Sequence, residues 1–231
     1  MPIVNGLIIF DVPGDAIAAE DSRLQASDRD ALRRALLLDA CIRAASWPAA
    51  GACVCITDEA LDADVARLAP GVRRLRAAES LAGERISAAF DEAFDFGFKH
   101  LLLLFCSAAT VQPRSIDAAF ALMDTFEDAI IVGPTERDGV YAIGTRRPHP
   151  DVFSDLAPDG TLRYEALIGR LPAMERTVYP LASRPAMLTR EDVELLRAEL
   201  GAFERTRTTF EYTRRWYEER GMALSQRADE M

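Results

Sequence analysis

Lysine is almost absent from this chain of 231 residues: Lys99 stands alone, and arginine supplies the rest of the positive charge. Schiff-base or amine-nucleophile chemistry would therefore rest on one residue, because a guanidinium does not give up its proton near neutral pH. Histidine is nearly as scarce. His100 and His149 have no His, Cys or carboxylate neighbour at ligand spacing, which argues against a histidine metal centre. Net basic charge is lacking too. At a net charge of −10, the chain has no general affinity for nucleic acid or anionic membrane, since both need a basic face.

Glycine-rich phosphate loops are missing as well. Val12-Pro13-Gly14-Asp15 follows the first apolar run as a simple turn, and nothing matches G-x-G-x-x-G, a P-loop or the G-x-S-x-G elbow. These absences count strongly against kinase, dinucleotide-dependent dehydrogenase and α/β-hydrolase readings. The four cysteines, Cys41, Cys53, Cys55 and Cys106, have neither disulfide-scaffold nor zinc spacing. Cys53 and Cys55 fall two apart on an expected strand and so share one face; buried, reduced thiols are the expectation. The start, MPIVNGLIIFDVPG, has neither a basic leader nor a span long enough for a membrane, and the expectation is a cytoplasmic protein.

What is present is a regular alternation. Apolar, β-branched runs at Ile3–Phe10, Ala52–Thr57, Val72–Ala77, Leu101–Phe105, Ala129–Val132 and Val140–Thr145 read as strands. Between them lie helical patterns: a long one from the capping box Ser27/Asp30 to Trp47, then Asp58–Leu68, Ser80–Phe96 and Pro113–Phe126. The second half adds a helix at Leu162–Leu171, an edge strand at Arg176–Leu181, a helix capped by Thr189 and Asp192, and a last helix from Phe203 to Arg220. This alternation predicts a single α/β domain with a mixed, mainly parallel sheet and helices on both faces. Ligands in such sheets bind at the carboxyl ends of the strands, which directs attention to the loops after Phe10, Thr57, Phe105 and Val132.

One resemblance extends over about Ile3 to Leu200. It is carried by Leu81-Ala82-Gly83-Glu84-Arg85-Ile86, Leu101–Phe105, Ile130-Ile131-Val132-Gly133-Pro134 and Asp138-Gly139-Val140-Tyr141-Ala142-Ile143-Gly144, in order and spacing. The chain resembles the glycosyltransferase-A-type, nucleotide-diphospho-sugar-transferase-like proteins of bacteria, related to small guanylyl- and cytidylyltransferases. The resemblance implies an α/β domain over residues 1–201, and 202–231 is expected as a C-terminal helical extension beyond it. It also implies Arg23 and Arg85 as phosphate contacts, Asp138 and Tyr141 on the far wall of a substrate pocket, and a nucleotide or nucleotide sugar as ligand.

The departures fall on polar positions. Where the family carries an Asp after the central strand, this chain has Cys106-Ser107-Ala108-Ala109. Where Asp-x-Asp-Thr is expected, Ala186-Met187-Leu188-Thr189 stands; where Lys-Thr-Arg-Leu is expected, Asp21-Ser22-Arg23-Leu24 keeps the Arg and Leu and loses the lysine, and the second glycine of Asp-Gly-Gly-Tyr is Val140. Magnesium held by carboxylates normally neutralises charge on a departing diphosphate, and Ala, Leu and a thiol do not hold it. The expectation is a fold without metal-dependent transfer and without a cofactor. Divalent metal enters only under the alternative of an active transferase that recruits Asp11, Asp15, Asp21, Glu136 or Asp138. A third reading is an interaction protein working through its last helix. Phe203, Phe210 and Tyr217 recur every seven residues there, as a stripe that either folds back on the domain or pairs with a second copy as a homodimer.

Overall fold

A computed structural model of the chain describes residues 5–11, 25–48, 50–56, 58–75, 82–106, 111–136, 139–147, 162–171, 176–185, 195–201 and 210–221. Seven strands form one sheet: β1 (Asn5–Phe10), β2 (Ala50–Cys55), β3 (Arg73–Leu75), β4 (His100–Phe105), β5 (Ala129–Pro134), β6 (Val140–Thr145) and β7 (Thr177–Pro180). Their spatial order is β3-β2-β1-β4-β6-β5-β7. β1, β2, β3 and β4 are mutually parallel, β7 is parallel to β5, and β6 runs antiparallel to both of its neighbours. The mixed, mainly parallel sheet expected from the alternation is the one observed.

The strand composition explains this order. Every residue of β4 and β6 is buried, as is all of β1 after Asn5, so these strands carry unbroken apolar runs and occupy the centre. The edges differ. β3 is three residues long with Arg73 exposed, and β7 is half-buried and ends at Pro180, both features that discourage pairing with another sheet.

Helices α1 (Ala26–Ala45), α2 (Glu59–Leu68), α3 (Ala82–Asp95), α4 (Pro113–Thr125) and α5 (Tyr164–Arg170) connect the strands. Two further helical segments follow, α6 (195–201) and α7 (Glu211–Trp216), the latter continuing as a π-helical turn over Tyr217–Gly221. Two cores result. On one face Leu7 and Ile9 pack with residues of α1, α2, α4, α6 and α7; on the other, Ile8 and Phe10 pack with Ile86, Ala89, Phe90 and Ala93 of α3 and Leu167 of α5.

α1 departs from the expected capping. Its N-cap is Gln25, which makes no side-chain cap bond, and Asp30 of the anticipated Ser27/Asp30 box bonds Arg33 instead. Ala35, Leu36, Leu37 and Leu38 are all buried. Four consecutive buried positions go all the way round a helix, so α1 has a layer on each side. The outer layer is α7. Phe210, Trp216 and Tyr217 are buried in the same core as α1, and the Asp39 carboxylate accepts the amides of Tyr212 at 3.3 Å and Thr213 at 2.7 Å. Two of the three aromatic stripe positions thus fold back on the chain's own domain, while Phe203 lies outside the described residues. Among the described residues no helix is long and apolar enough to cross a membrane.

Candidate functional site at the carboxyl ends of the strands

β1 has β2 on one side and β4 on the other, so the strand order reverses between β1 and β4. That reversal is where a parallel sheet opens a crevice. The two strands end there as Phe10-Asp11 and Phe105-Cys106. Phe10 and Phe105 meet edge to face, with ring centroids 5.8 Å apart and an interplanar angle of 79°, and pave the floor between the strands.

Asp11 is the first polar residue after β1 and is fully buried. Alternation along the strand points its side chain to the α1 face, where Nη1 of Arg33 donates to both carboxylate oxygens, at 2.6 and 2.7 Å. The other edge of the Arg33 guanidinium, Nε and Nη2, donates to Asp30 at 3.2 and 2.8 Å. The network continues through Asp58, which accepts Arg34 at 3.1 Å and caps α2 by accepting the Leu61 amide at 3.0 Å. Burial pushes the Asp11 carboxyl up from its ordinary value, and Arg33 pulls it back only in part. Burial works against the charge on Arg33 too, but the bonds and charge of Asp11 and Asp30 outweigh it and raise the guanidinium above its ordinary value. A guanidinium keeps its proton, and contacts this short are those of a charge-assisted pair, so Asp11 and Arg33 stand ionised together at neutral pH.

Arg85 approaches the same strand end from the opposite face. It leaves the first turn of α3, is 5% exposed, and lies with its guanidinium carbon 5.1 Å from the centre of the Phe10 ring. Its Nη2 reaches the main-chain carbonyl of Asp11 at 3.4 Å, a long contact, and its Nε is buried without a hydrogen-bond partner. The Cys55 thiol lies beside it. Burial raises that thiol above its ordinary value, with the Arg85 charge pulling the other way.

Tyr141 is also buried, but elsewhere. Pairing between β5 and β6 slips at Gly133/Pro134, so that Gly133 faces Ala142 and Pro134 faces Val140. Tyr141 is the extra residue of this bulge, and its side chain is turned to the α1 face, while Arg85 stands on the α3 face. Its ring fills the space over Gly133, where an added Cβ would come within 2.6 Å of it, and its hydroxyl donates to the Ala182 carbonyl at 3.0 Å. Burial raises the phenol to about 12. Arg23 and Asp138 lie outside the described residues, as do Ser107–Thr110 and Ala186–Thr189. The structure therefore places Arg85 at the strand ends and Tyr141 in the core beside β5.

Among the described residues, those at this crevice offer no ligand set for a divalent metal. Asp11 is spent on Arg33. Cys106, at the end of β4, is a buried thiol. Among the described residues no three His, Cys, Asp or Glu side chains converge as a metal cage. The other cysteines are likewise buried, with Cys53 pushed by burial to about 12 and Cys41 also raised, so none is poised as a thiolate. His100, next to Lys99, bonds Asn5 through Nδ1 at 2.9 Å at the start of β4, the far end of the sheet from the crevice. A separate small cleft, with room for about one water molecule, lies between α1 and the sheet, lined by Leu7, Ile9, Trp47, Leu104 and Ile116 among others. Arg43, the charged group on its wall, donates to the Val111 carbonyl at 2.9 Å, and the rest of that lining offers little to a polar ligand.

The Asp11–Arg33 pair was not visible in the sequence. Asp11 reads there as a spare carboxylate at the head of a loop, and Arg33 as one arginine of a charged helix. A partial signal existed, since Asp11 directly follows a buried strand and Arg33 shares a helical face with the core positions Leu36 and Leu37.

Comparison with other proteins agrees with this geometry. The model of the family described as "Uncharacterized protein conserved in bacteria (DUF2064)" matches residues 37–157, just over half of the chain, and the chain belongs to that family. No curated protein matches it by sequence. Among solved structures, it is similar to a protein of Desulfovibrio desulfuricans G20 assigned as a nucleotide-diphospho-sugar transferase. The identity is 19% and the TM-score 0.72, over 96% of this chain and 97% of that one. A cytidylyltransferase from Leptospira borgpetersenii serovar Hardjo-bovis superposes with a TM-score of 0.55 at 13% identity, over 96% of both chains. A 4-diphosphocytidyl-2C-methyl-D-erythritol synthase does so with 0.52 at 10%, over 85% of this chain and 98% of that one. At these identities the likeness establishes the nucleotide-diphospho-sugar-transferase-like fold.

Proposed function

We propose that this DUF2064 chain is a ligand-binding member of the nucleotide-diphospho-sugar-transferase-like fold that works without a divalent metal and has lost metal-dependent transfer. Its ligand is a nucleotide, a nucleotide sugar or a phosphorylated metabolite, held where β1 and β4 end. One observation carries this reading: the buried carboxylate at the head of β1 has both oxygens committed to Arg33, at 2.6 and 2.7 Å. Freeing Asp11 for a metal would strand a buried guanidinium, an exchange that costs several kcal/mol, on the order of 3–5. The sequence after β4 supports the same conclusion, because Cys106 to Ala109 offers no carboxylate to replace it. Of the substrate-contact residues implied by the family resemblance, Arg85 is the one this reading relies on, and Arg23 is expected to join it from the loop after β1.

Calorimetric titration with nucleotides and nucleotide sugars, each with and without magnesium or manganese, tests this. Binding that changes less than about twofold on adding metal is the expected result. Turnover of a nucleotide sugar that requires metal would overturn it. So would a saturable manganese site of micromolar affinity abolished by Asp138→Asn, because Asp15, Asp21, Glu136 or Asp138 would then have taken over the metal.

A further inference from the structure

Asp39 and Arg43 lie one turn apart on α1 and so share a face of that helix. Together they hold the start of α7. The Asp39 carboxylate accepts the amides of Tyr212 and Thr213, and the guanidinium carbon of Arg43 lies 4.6 Å from the centre of the Phe210 ring. Phe210 is the N-cap residue of α7, and its carbonyl accepts the Arg214 amide at 2.9 Å. The ring is therefore fixed to the same helix start that Asp39 holds.

Arg43 also reaches in a second direction. Its Nη2 donates at 2.9 Å to the carbonyl of Val111. Val111 is buried and stands just before Gln112, the N-cap of α4, which makes no side-chain cap bond. The connection that leaves β4 beside the crevice, at Cys106, is back in the core at Val111. Phe105, whose ring meets Phe10 at the crevice floor, lines the same small cleft as Arg43 and Val111. One guanidinium thus touches the C-terminal layer with its face and the far end of a crevice connection with its edge.

The two contacts support each other. A guanidinium stacked on a ring has that face shut off from water, so the bond made by its edge meets less competition. Burial brings the Arg43 guanidinium down to about 10, with Asp39 opposing and Arg184 adding to the fall, so it remains charged at neutral pH. If the ring is lost, water enters on the open face and the hold on Val111 weakens. If the Val111 bond is lost, the guanidinium is free to leave the ring.

We propose, resting on the ligand-binding reading above, that Arg43 is a positioning residue that couples the docking of α7 to the end of the β4–α4 connection, so that the C-terminal segment tunes ligand binding at the crevice. Linkage makes the effect reciprocal: a ligand that favours the Val111-bound arrangement also tightens α7.

The test is hydrogen exchange on the full chain, followed in the first turn of α4 and in α7, with β1 and α3 as references. Phe210→Leu keeps apolar bulk and removes the ring face. It should speed exchange at the start of α4 by about tenfold and leave β1 and α3 unchanged. In an Arg43→Met background the same substitution should add nothing there. Asp39→Ala, which loosens α7 by removing the acceptor of its first amides, should speed the same α4 amides. An unchanged α4 start in both Phe210→Leu and Asp39→Ala would overturn the coupling. So would an equal effect of Phe210→Leu with and without Arg43, or uniform speeding in β1 and α3. Calorimetry with CMP and UDP-glucose tests the crevice: Phe210→Leu should weaken whichever binds the parent by about threefold, and that compound at saturation should slow exchange in α7. Unchanged affinity and unchanged α7 exchange would sever the link to the crevice while the ligand-binding reading stood. If neither compound bound the parent, that reading would fail and take the tuning with it, and exchange alone would decide whether α7 and α4 are coupled.

Discussion

Asp11 and Asp39 are both buried carboxylates flanking the same helix, and each solves its burial in a different way. Asp11 is answered by charge, through the guanidinium of Arg33. Asp39 is answered by backbone dipoles, through the amides of Tyr212 and Thr213 at the start of α7. The consequences differ. The first solution locks β1 to α1 near the site and removes a carboxylate from chemistry. The second fastens a separate element to the outside of α1, far from the strand ends in sequence, and takes no carboxylate from the site. Burial pushes both carboxyls up from their ordinary value, with Arg33 opposing in one case and Thr213 and Tyr212 in the other.

Breaking the ion pair should have the largest effect. Arg33→Met leaves Asp11 buried and alone, and a loss of about 3–5 kcal/mol is expected in urea unfolding. Adding Asp11→Leu should restore most of it, because the pair is then replaced by apolar packing. A single variant that lost less than about 1 kcal/mol would show that Asp11 is not held as an ion.

Asp39→Ala should cost less, about 1–3 kcal/mol, the range for buried hydrogen-bond donors left without their acceptor. Its signature is local: α7 should loosen from α1, so binding of a hydrophobic dye and proteolysis near residue 210 should both rise while the sheet stays folded. Ending the chain at Gly201 should reproduce the dye binding in stronger form. A variant that unfolded in one step with the sheet, without either sign, would mean that α7 is not a separable layer.

The smallest effect is on pH. A carboxyl raised in the folded state above its ordinary 3.8 keeps a proton that the unfolded chain has already lost. Each such group therefore makes stability fall as pH rises from about 4 through its folded-state value. Asp39→Asn should flatten that slope relative to the parent, and Asp11→Asn should flatten it separately, as read from urea midpoints across the acid range. A parent chain that gained stability over this range relative to both variants would reverse the sign and refute the assignment.

The architecture was largely legible because it depends on local patterns: unbroken apolar runs for β1 and β4, helical spacing in α3, and an antiparallel hairpin at Gly139. The site was less so, because its contacts are made across the fold. Asp11 and Arg33 are 22 residues apart, and nothing local pairs them. Tyr141 reads as an ordinary strand residue, whereas the bulge against Gly133 re-aims it into the opposite core. The last helix was expected to begin at Phe203; the described part begins at Glu211 and is capped by a residue 174 positions earlier, a partner that no window of sequence contains. Stripe periodicity gave the right buried aromatics at 210 and 217 but not the surface that covers them.

That separation of 174 residues has a temporal meaning during biosynthesis. α1 is made well before its outer lining. At roughly 5–20 residues per second, the interval between Asp39 and Thr213 leaving the ribosome is on the order of 9–35 s. Through that interval the sheet can assemble on one side of α1 while Asp39 and Arg43 wait for the amides of α7 and the Phe210 ring, still being translated.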